Sequence, residues 1–120
     1  MKKIELFEKA IKEQAKNLEE YGINGTMFWA YRGSMKVDND YINFEEVIWD
    51  KDIEEIAKCL KENEIYEFTI SSNFSGLINT LVEFEKHGYR IVGLTTVKAS
   101  YKNPLTDDWN KLNAIRLLRY

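Results

Sequence analysis

Hydrophobic and polar positions in the first part of the chain follow a helical period. From residue 2 to residue 21, apolar residues recur every three or four positions, and Lys and Glu fill the positions between them: Ile4, Phe7, Ala10, Ile11 and Leu18. This spacing is typical of an amphipathic helix. Gly22 is a favourable left-handed stop just past its end. The pattern therefore predicts a first helix over residues 2–21.

The next stretch, "TMFWAYRGSMK" at residues 26–36, fits two structures. Thr26 suits a helix cap, with Met27, Phe28, Tyr31 and Met35 on one face. The same letters also alternate between larger and smaller apolar residues, as a strand would. The helix is the favoured prediction. A turn rich in Asp and Asn follows at residues 37–40.

Strands and helices then alternate to the end of the chain. Residues 41–47 predict a short strand, and residues 52–63 a helix in which Asp52 accepts a hydrogen bond from the Glu55 N–H. Residues 66–71 predict a strand by their aromatic and β-branched content. A helix over 74–87 ends at Gly88. Residues 89–99 predict the longest strand, 100–112 a loop, and 113–120 a final antiparallel strand.

This order of elements predicts one α/β (or α+β) domain over residues 1–120. Strand–helix–strand units normally form right-handed parallel crossovers. Two in succession predict a small mixed sheet of about four strands, mainly parallel, with an antiparallel C-terminal strand at its edge. The N-terminal helices are expected to pack on this sheet.

The C-terminal ends of parallel strands meet along one rim of a sheet, where ligands of open α/β folds usually bind. "SSN" at residues 71–73 ends a predicted strand before a helix. Its hydroxyls and the N–H groups at the helix start are suited to a phosphate or carboxylate. The alternative is that Ser72 or Asn73 simply caps the helix. The candidate ligand-binding residues are Ser71, Ser72, Asn73, Ser75 and Lys98, with Arg90 as a second counter-charge.

Other polar groups favour structural interpretations. The acidic residues Glu45, Glu46, Asp50 and Asp52 have the oxygen ligands that Mg²⁺ prefers, but their spacing matches no acidic loop, which favours a solvated surface. His87 is the single histidine and lies at the far end of its predicted helix from Ser71 and Ser72, about 20 Å away. Cys59 falls beside a buried stripe. We therefore predict no catalytic residues, no metal site and no cofactor.

Aromatic residues are more numerous than a small core requires: Phe28, Trp29, Tyr31, Trp49, Tyr101 and Trp109. Tyr101 and Trp109 fall in the predicted loop, where exposed aromatics would indicate a partner contact. The loop could equally fold back and bury Trp109.

Composition and charge limit which partners and which cellular compartment are expected for the protein. The 120 residues carry 17 basic and 20 acidic side chains, a net charge of −3, which gives no overall attraction to nucleic acid. A nucleic-acid surface would need its basic residues on one face: Lys98, Lys102, Lys111, Arg116 and Arg119. The single cysteine, a charged N-terminus and the lack of a long apolar run predict a cytoplasmic protein without a membrane span.

Three segments resemble a family of short bacterial proteins of unknown function: "NFEEVIWDKDIEEI", "EFTISSNFSGLINTLVEFEKHGYRIVGLTTVKASY" and "NAIRL". The resemblance covers roughly residues 27–120. It implies a Gram-positive host and often a mobile element, and it carries no catalytic residues. The first functional hypothesis is a non-enzymatic accessory or protein-interaction module. The second is a small-molecule or anion binder, or an enzyme, at Ser71–Asn73. A homodimer through the terminal strand "RLLRY" is also expected.

Overall fold

Four helices and four strands make up the fold, and the computed structural model describes residues 1–120. The helices are α1 (Glu5–Lys12), α2 (Gly25–Lys36), α3 (Ile53–Glu62) and α4 (Leu77–Lys86). The strands are β1 (Asn43–Phe44), β2 (Glu67–Ile70), β3 (Tyr89–Lys102) and β4 (Trp109–Arg119). Short 3₁₀ turns at Leu18–Tyr21 and Asp50–Asp52 precede α2 and α3. None of the helices has the length and apolar character that crossing a bilayer requires.

The predicted first helix is correct only in its first half. Gln14 has a left-handed φ of 53°, which breaks the helical path just past the end of α1 at Lys12. Asn17 then starts a separate 3₁₀ turn by accepting from the Glu19 N–H at 3.0 Å. Gly22, with φ of 70°, is the left-handed stop that the sequence predicted.

The predicted helix over 26–36 is confirmed as α2, but its cap is not Thr26. Asn24 Oδ1 accepts from the Met27 N–H at 3.0 Å and starts the helix one residue earlier. The buried Tyr31 hydroxyl ties α2 to α1 by donating to Glu8 at 2.9 Å and accepting from the Ile4 N–H at 3.2 Å. Burial, helped by the bond to Glu8, raises the pKa of Tyr31 to about 12.

The predicted capping pair at Asp52 is wrong. Asp52 makes no side-chain bond to its own helix α3. Its two carboxylate oxygens instead accept from Asn24 Nδ2 and Thr26 Oγ1, each at 3.1 Å. Two carboxylate bonds across the fold replace a local cap, and they join the N-terminus of α2 to that of α3.

The sheet has the strand order β1-β2-β4-β3. β1 and β2 are parallel, and β4 is antiparallel to both β2 and β3. The mainly parallel sheet that the sequence predicted is therefore not confirmed. The terminal strand β4 is internal rather than at an edge, because the second strand of the β3–β4 hairpin is the one that pairs with β2. The strands at the edges are β1 and β3.

Two predicted boundaries change with this topology. The strand predicted over 41–47 is reduced to Asn43–Phe44, because the chain bends at Glu46. The loop predicted over 100–112 is only residues 103–108, because cross-strand pairing continues through Lys98↔Lys111 to Lys102↔Trp109. The aromatic and β-branched content of residues 89–99 predicted the first strand of this hairpin. The polar residues that follow favoured a loop, so the predicted strands were too short.

Aromatic rings join the sheet to the helices that cover it. Phe68 on β2 is fully buried, and its ring centroid lies 4.9 Å from that of Phe84, 5.2 Å from that of Tyr89 and 5.6 Å from that of Phe44. These rings belong to a hydrophobic cluster of 19 buried residues that also takes in α1, α2 and α3. The N-terminal helices therefore share a core with the sheet, as the sequence predicted.

On the other face of β2, Glu67 forms an ion pair with Arg116 of β4. Its carboxylate accepts from Arg116 Nε at 3.0 Å and also from Nη2. Burial alone would raise the pKa of Glu67, but hydrogen bonds from Tyr41 and Arg116 and the charge of Arg116 lower it below the ordinary value of 4.5. The ionised form is thus stabilised by folding, so the pair contributes stability above about pH 4.5 and loses it as the pH falls through the lowered pKa.

We expect Glu67→Gln to lower the free energy of unfolding at neutral pH by about 1 kcal/mol. This figure is at the low end for a hydrogen-bonded charge, since Arg116 is 41% exposed. Urea unfolding at neutral pH and at about pH 3 measures the effect, and the difference from the unmodified protein should shrink in acid. The exposed Glu62→Gln serves as control. A difference that stays constant or grows in acid contradicts the assignment.

Candidate functional site

A groove of about 920 Å³ lies between α2 and the segment 43–49 that contains β1 and the bend after it. We call it the α2 groove. One wall is the outward side of α2, and the other is the chain that leaves the C-terminal end of β1. Ser100 of β3 also lines it. The groove therefore lies at the C-terminal end of β1, and none of the predicted ligand-binding residues lines it.

An exposed tryptophan stands on each wall of the α2 groove. Trp29 of α2 is 62% exposed, and Trp49, at the end of the opposite wall, is 61% exposed. The α2 period explains the first, because Met27, Phe28 and Tyr31 occupy the buried side of the helix. The Arg32 guanidinium lies 5.8 Å from the Trp29 ring centroid, a cation–π contact on the groove surface.

The floor of the groove is a buried network of neutral polar groups centred on Asn43. Asn43 Oδ1 accepts from the Thr69 hydroxyl at 2.8 Å, and its Nδ2 donates to Ser71 Oγ at 3.0 Å. Its backbone N–H donates to Ser34 Oγ of α2 at 2.8 Å. Ser34, Asn43 and Thr69 are all buried. Because each buried group finds a partner, the network holds β1, β2 and α2 in one arrangement.

Two side chains from the segment 39–45 bind the backbone of β3. Glu45 accepts from both the N–H and the hydroxyl of Ser100, each at 2.7 Å. Asn39 donates to the Lys98 carbonyl and accepts from the Lys98 N–H, each at 2.9 Å. Because β1 and β3 are opposite edges of the sheet, these bonds require the sheet to curl. The curl brings Glu45 and Ser100 together at the rim.

The corner at residues 71–75 lies behind this groove rather than in it. Ser71 is held by Asn43, while Asn73 and Ser75 are exposed. The Ser72 hydroxyl oxygen is buried and has no hydrogen-bond partner. The prediction that Ser72 or Asn73 caps the following helix is wrong. The helix α4 begins at Leu77 with Gly76 as its N-cap and has no side-chain cap.

The predicted partner-contact residues lie on the β3–β4 hairpin. Tyr101 is exposed. Trp109 is half-buried, and its ring centroid lies 5.4 Å from Lys36 Nζ and 5.2 Å from Lys102 Nζ. Lys36 also lines the α2 groove, so Trp109 borders it through that lysine. The Lys98 side chain is exposed, and the contact that involves its backbone is the one to Asn39.

The remaining charged candidates do not all come together, although Lys98 and Lys111 are direct cross-strand partners. Lys111 and Arg116 are five positions apart on β4, so their side chains point to opposite faces of the sheet, and Arg116 binds Glu67. Of the acidic residues, Glu45 and Glu46 line the groove, but Asp52 binds Asn24 and Thr26 at the start of α2. No group of three or more His, Cys, Asp or Glu residues is arranged to hold a metal ion.

The residues that shape the groove most were not among the predicted site residues. Trp29 and Trp49 belong to the aromatic surplus that the sequence showed, but their exposure depends on tertiary packing. A usable signal was present at Trp29, which falls off the apolar side set by Met27 and Tyr31. Ser34 and Asn43 gave no signal, since short polar residues in a helix and a strand are common.

One comparison with known proteins identifies the family. The model of a domain of unknown function, DUF7698, matches residues 26–119. The chain belongs to this family. No curated protein and no solved structure matches it. The matched range begins at α2 and ends with β4, so it includes both walls of the α2 groove and excludes α1.

Proposed function

We propose that the protein is a non-enzymatic interaction module and that the α2 groove is its contact surface. The observation that carries this proposal is the pair of exposed tryptophans, one on each wall. Trp and Arg are among the residue types most enriched at positions that dominate binding energy, and Arg32 lies beside Trp29. Two large indoles facing one open groove are better suited to a partner than to water.

The backbone of the second wall supports a protein partner. The N–H groups of Glu45, Glu46 and Val47 donate to no protein acceptor. The Asn43 N–H points toward α2, which shows that the outer edge of β1 faces the groove. An extended segment of a partner would offer a carbonyl acceptor to the Glu45 N–H, which by strand alternation lies on the same side as that of Asn43, while its side chains contact the tryptophans.

The groove lining favours binding over chemistry. It contains no histidine and no cysteine, and Glu45 is already held by Ser100. Cys59 is half-buried on α3, and burial raises the pKa of its thiol to about 11, so it is a poor nucleophile. An inert lone thiol is compatible with the reducing cytoplasm that the sequence predicts. A bacterial host and a mobile element stay predictions from the resemblance.

The second candidate function is an anion site at residues 71–75. Its support is the Ser72 hydroxyl, which is buried without a partner beside a helix that has no side-chain cap. It ranks below the α2 groove because Ser71 is already bound to Asn43 and Asn73 is exposed.

Site-specific photo-crosslinking in the cell that makes the protein tests the proposal. A photoreactive phenylalanine at position 29 should capture a partner that the same residue at position 105, in the hairpin loop, does not capture. Leu105 is 92% exposed and lies outside the groove. The captured partner is then purified. We expect Trp29→Ala and Trp49→Ala each to weaken its affinity tenfold or more, as truncation of a central aromatic contact does.

Two variants serve as controls in the same titration. Leu105→Ala should bind the partner as the unmodified protein does, and so should Ser72→Ala. If both tryptophan variants keep full affinity and fold normally by circular dichroism, the α2 groove is not the contact surface. If Ser72→Ala weakens binding instead, the corner at 71–75 takes its place.

A further inference from the structure

The outer edge of β3 is covered along only part of its length. In a strand, the N–H and C=O groups of every second residue point to the same side. The backbone groups of Lys98 and the N–H of Ser100 point away from β4, because Asn39 and Glu45 bind them there. Pairing with β4 is regular between Gly93 and Lys98, so Leu94 and Thr96 point outward as well. No other part of the chain forms a hydrogen bond with the outward backbone groups of Leu94 and Thr96.

The bare part of the edge is also apolar. Leu94 is 77% exposed and Ile91 is 52% exposed. They pair with Ile115 and Leu117, so they lie on the face of the sheet where Phe84 of α4 packs against Phe68. On α4, Ile78 and Val82 are exposed one turn apart. A long, exposed, hydrophobic edge strand is a feature that monomeric proteins normally avoid.

We propose that two copies of the chain pair through the outer edges of β3, antiparallel and about a two-fold axis at Thr95. In this register Leu94 of one copy lies opposite Thr96 of the other, and each such pair exchanges two backbone hydrogen bonds. The two sheets become one continuous sheet. The exposed apolar residues of β3 and α4 from both copies then lie on the same face.

The distribution of charge favours a second copy of the chain as the partner of this edge. It also favours this register over the neighbouring one. The segment 91–97 carries no charge, so two copies meet there without repulsion. A pairing centred on Leu94 would place Arg90 opposite Lys98, which are like charges. A pairing centred on Thr95 instead brings Arg90 toward Ser100 of the other copy, where Glu45 is bound. Pairing ends at Lys98, where Asn39 already occupies the edge.

The oligomeric state of the full chain tests the interface. Sedimentation equilibrium over a wide concentration range should show a dimer. Leu94→Lys should raise its dissociation constant tenfold or more, because it buries a charge beside the axis. Leu105→Lys, on the hairpin loop, is the matched control and should leave it unchanged. The proposal is overturned if the protein is a monomer at all concentrations, even if that monomer binds a foreign strand at this edge. It is also overturned if Leu94→Lys leaves the dimer intact.

Disulfide formation tests the register. Residue 95 faces its own copy across the axis in a non-hydrogen-bonded pair, with Cα atoms about 4.5 Å apart, within disulfide range. Thr95→Cys should therefore crosslink on mild oxidation. Thr96→Cys lies opposite Leu94 and should crosslink at least tenfold more slowly, and the unmodified chain with Cys59 controls for other products. Equal rates at positions 95 and 96 overturn the proposed axis.

Discussion

Phe68→Ala should be the most damaging single truncation in the fold, lowering the free energy of unfolding by about 3–5 kcal/mol. Phe68 is fully buried, and its ring lies against those of Phe44, Phe84 and Tyr89, which come from β1, α4 and β3. Removing it leaves a cavity between the sheet and α4. The loss is a large part of the 5–15 kcal/mol or so that stabilises an ordinary domain.

Urea unfolding followed by circular dichroism measures this effect, with Phe74→Ala as the matched control. Phe74 is half-buried at the edge of the same core, so its truncation removes less contact and should cost less than half as much. If the two variants lose similar stability, Phe68 is not the residue on which the layers of the fold converge.

Periodicity predicted the elements whose burial is one-sided. The helices α2 and α3 were located within a residue or two, because their apolar side chains recur at helical spacing. The first helix was predicted too long because Leu18 keeps the period across the left-handed Gln14, and a period carries no information on a single backbone angle. Sheet order failed for another reason. A sequence with two strand–helix–strand units is compatible with parallel strands that are adjacent in the sheet. It is equally compatible with parallel strands that have β4 inserted between them, as β2 and β3 do here.

The common direction of three strands was predictable from the sequence, but the residues that line the α2 groove were not. β1, β2 and β3 run in the same direction even though β4 separates the last two, so their C-terminal ends lie along one rim. Its chemistry depends on the curl of the sheet, which brings Glu45 to Ser100 across more than fifty residues of sequence. It also depends on which aromatic residues the core leaves outside. The exposure of Trp29 depends on how α2 packs, and the exposure of Trp49 depends on the path of the chain after β1. Both are properties of the tertiary structure.

The second large effect is expected at Asn43, where the stability of the fold and the shape of the α2 groove depend on one side chain. Asn43→Ala should lower the free energy of unfolding by about 2–3 kcal/mol, because it leaves the buried Thr69 hydroxyl and Ser71 without their best partners. The same change opens the groove floor. Partner affinity should therefore fall even under conditions in which the variant remains fully folded.

A double-mutant cycle separates the hydrogen bond from the space that the side chain fills. Thr69→Val keeps the volume at position 69 and removes only the hydroxyl. Combined with Asn43→Ala, it should cost less than the sum of the two single changes by about 1 kcal/mol, since the bond they share can be lost only once. Strict additivity would mean that the Asn43–Thr69 hydrogen bond contributes nothing to stability, leaving the bond to Ser71 and the packing of the side chain as the contribution of Asn43. The groove floor would then owe its shape to Ser34 and the contact of α2 with β1.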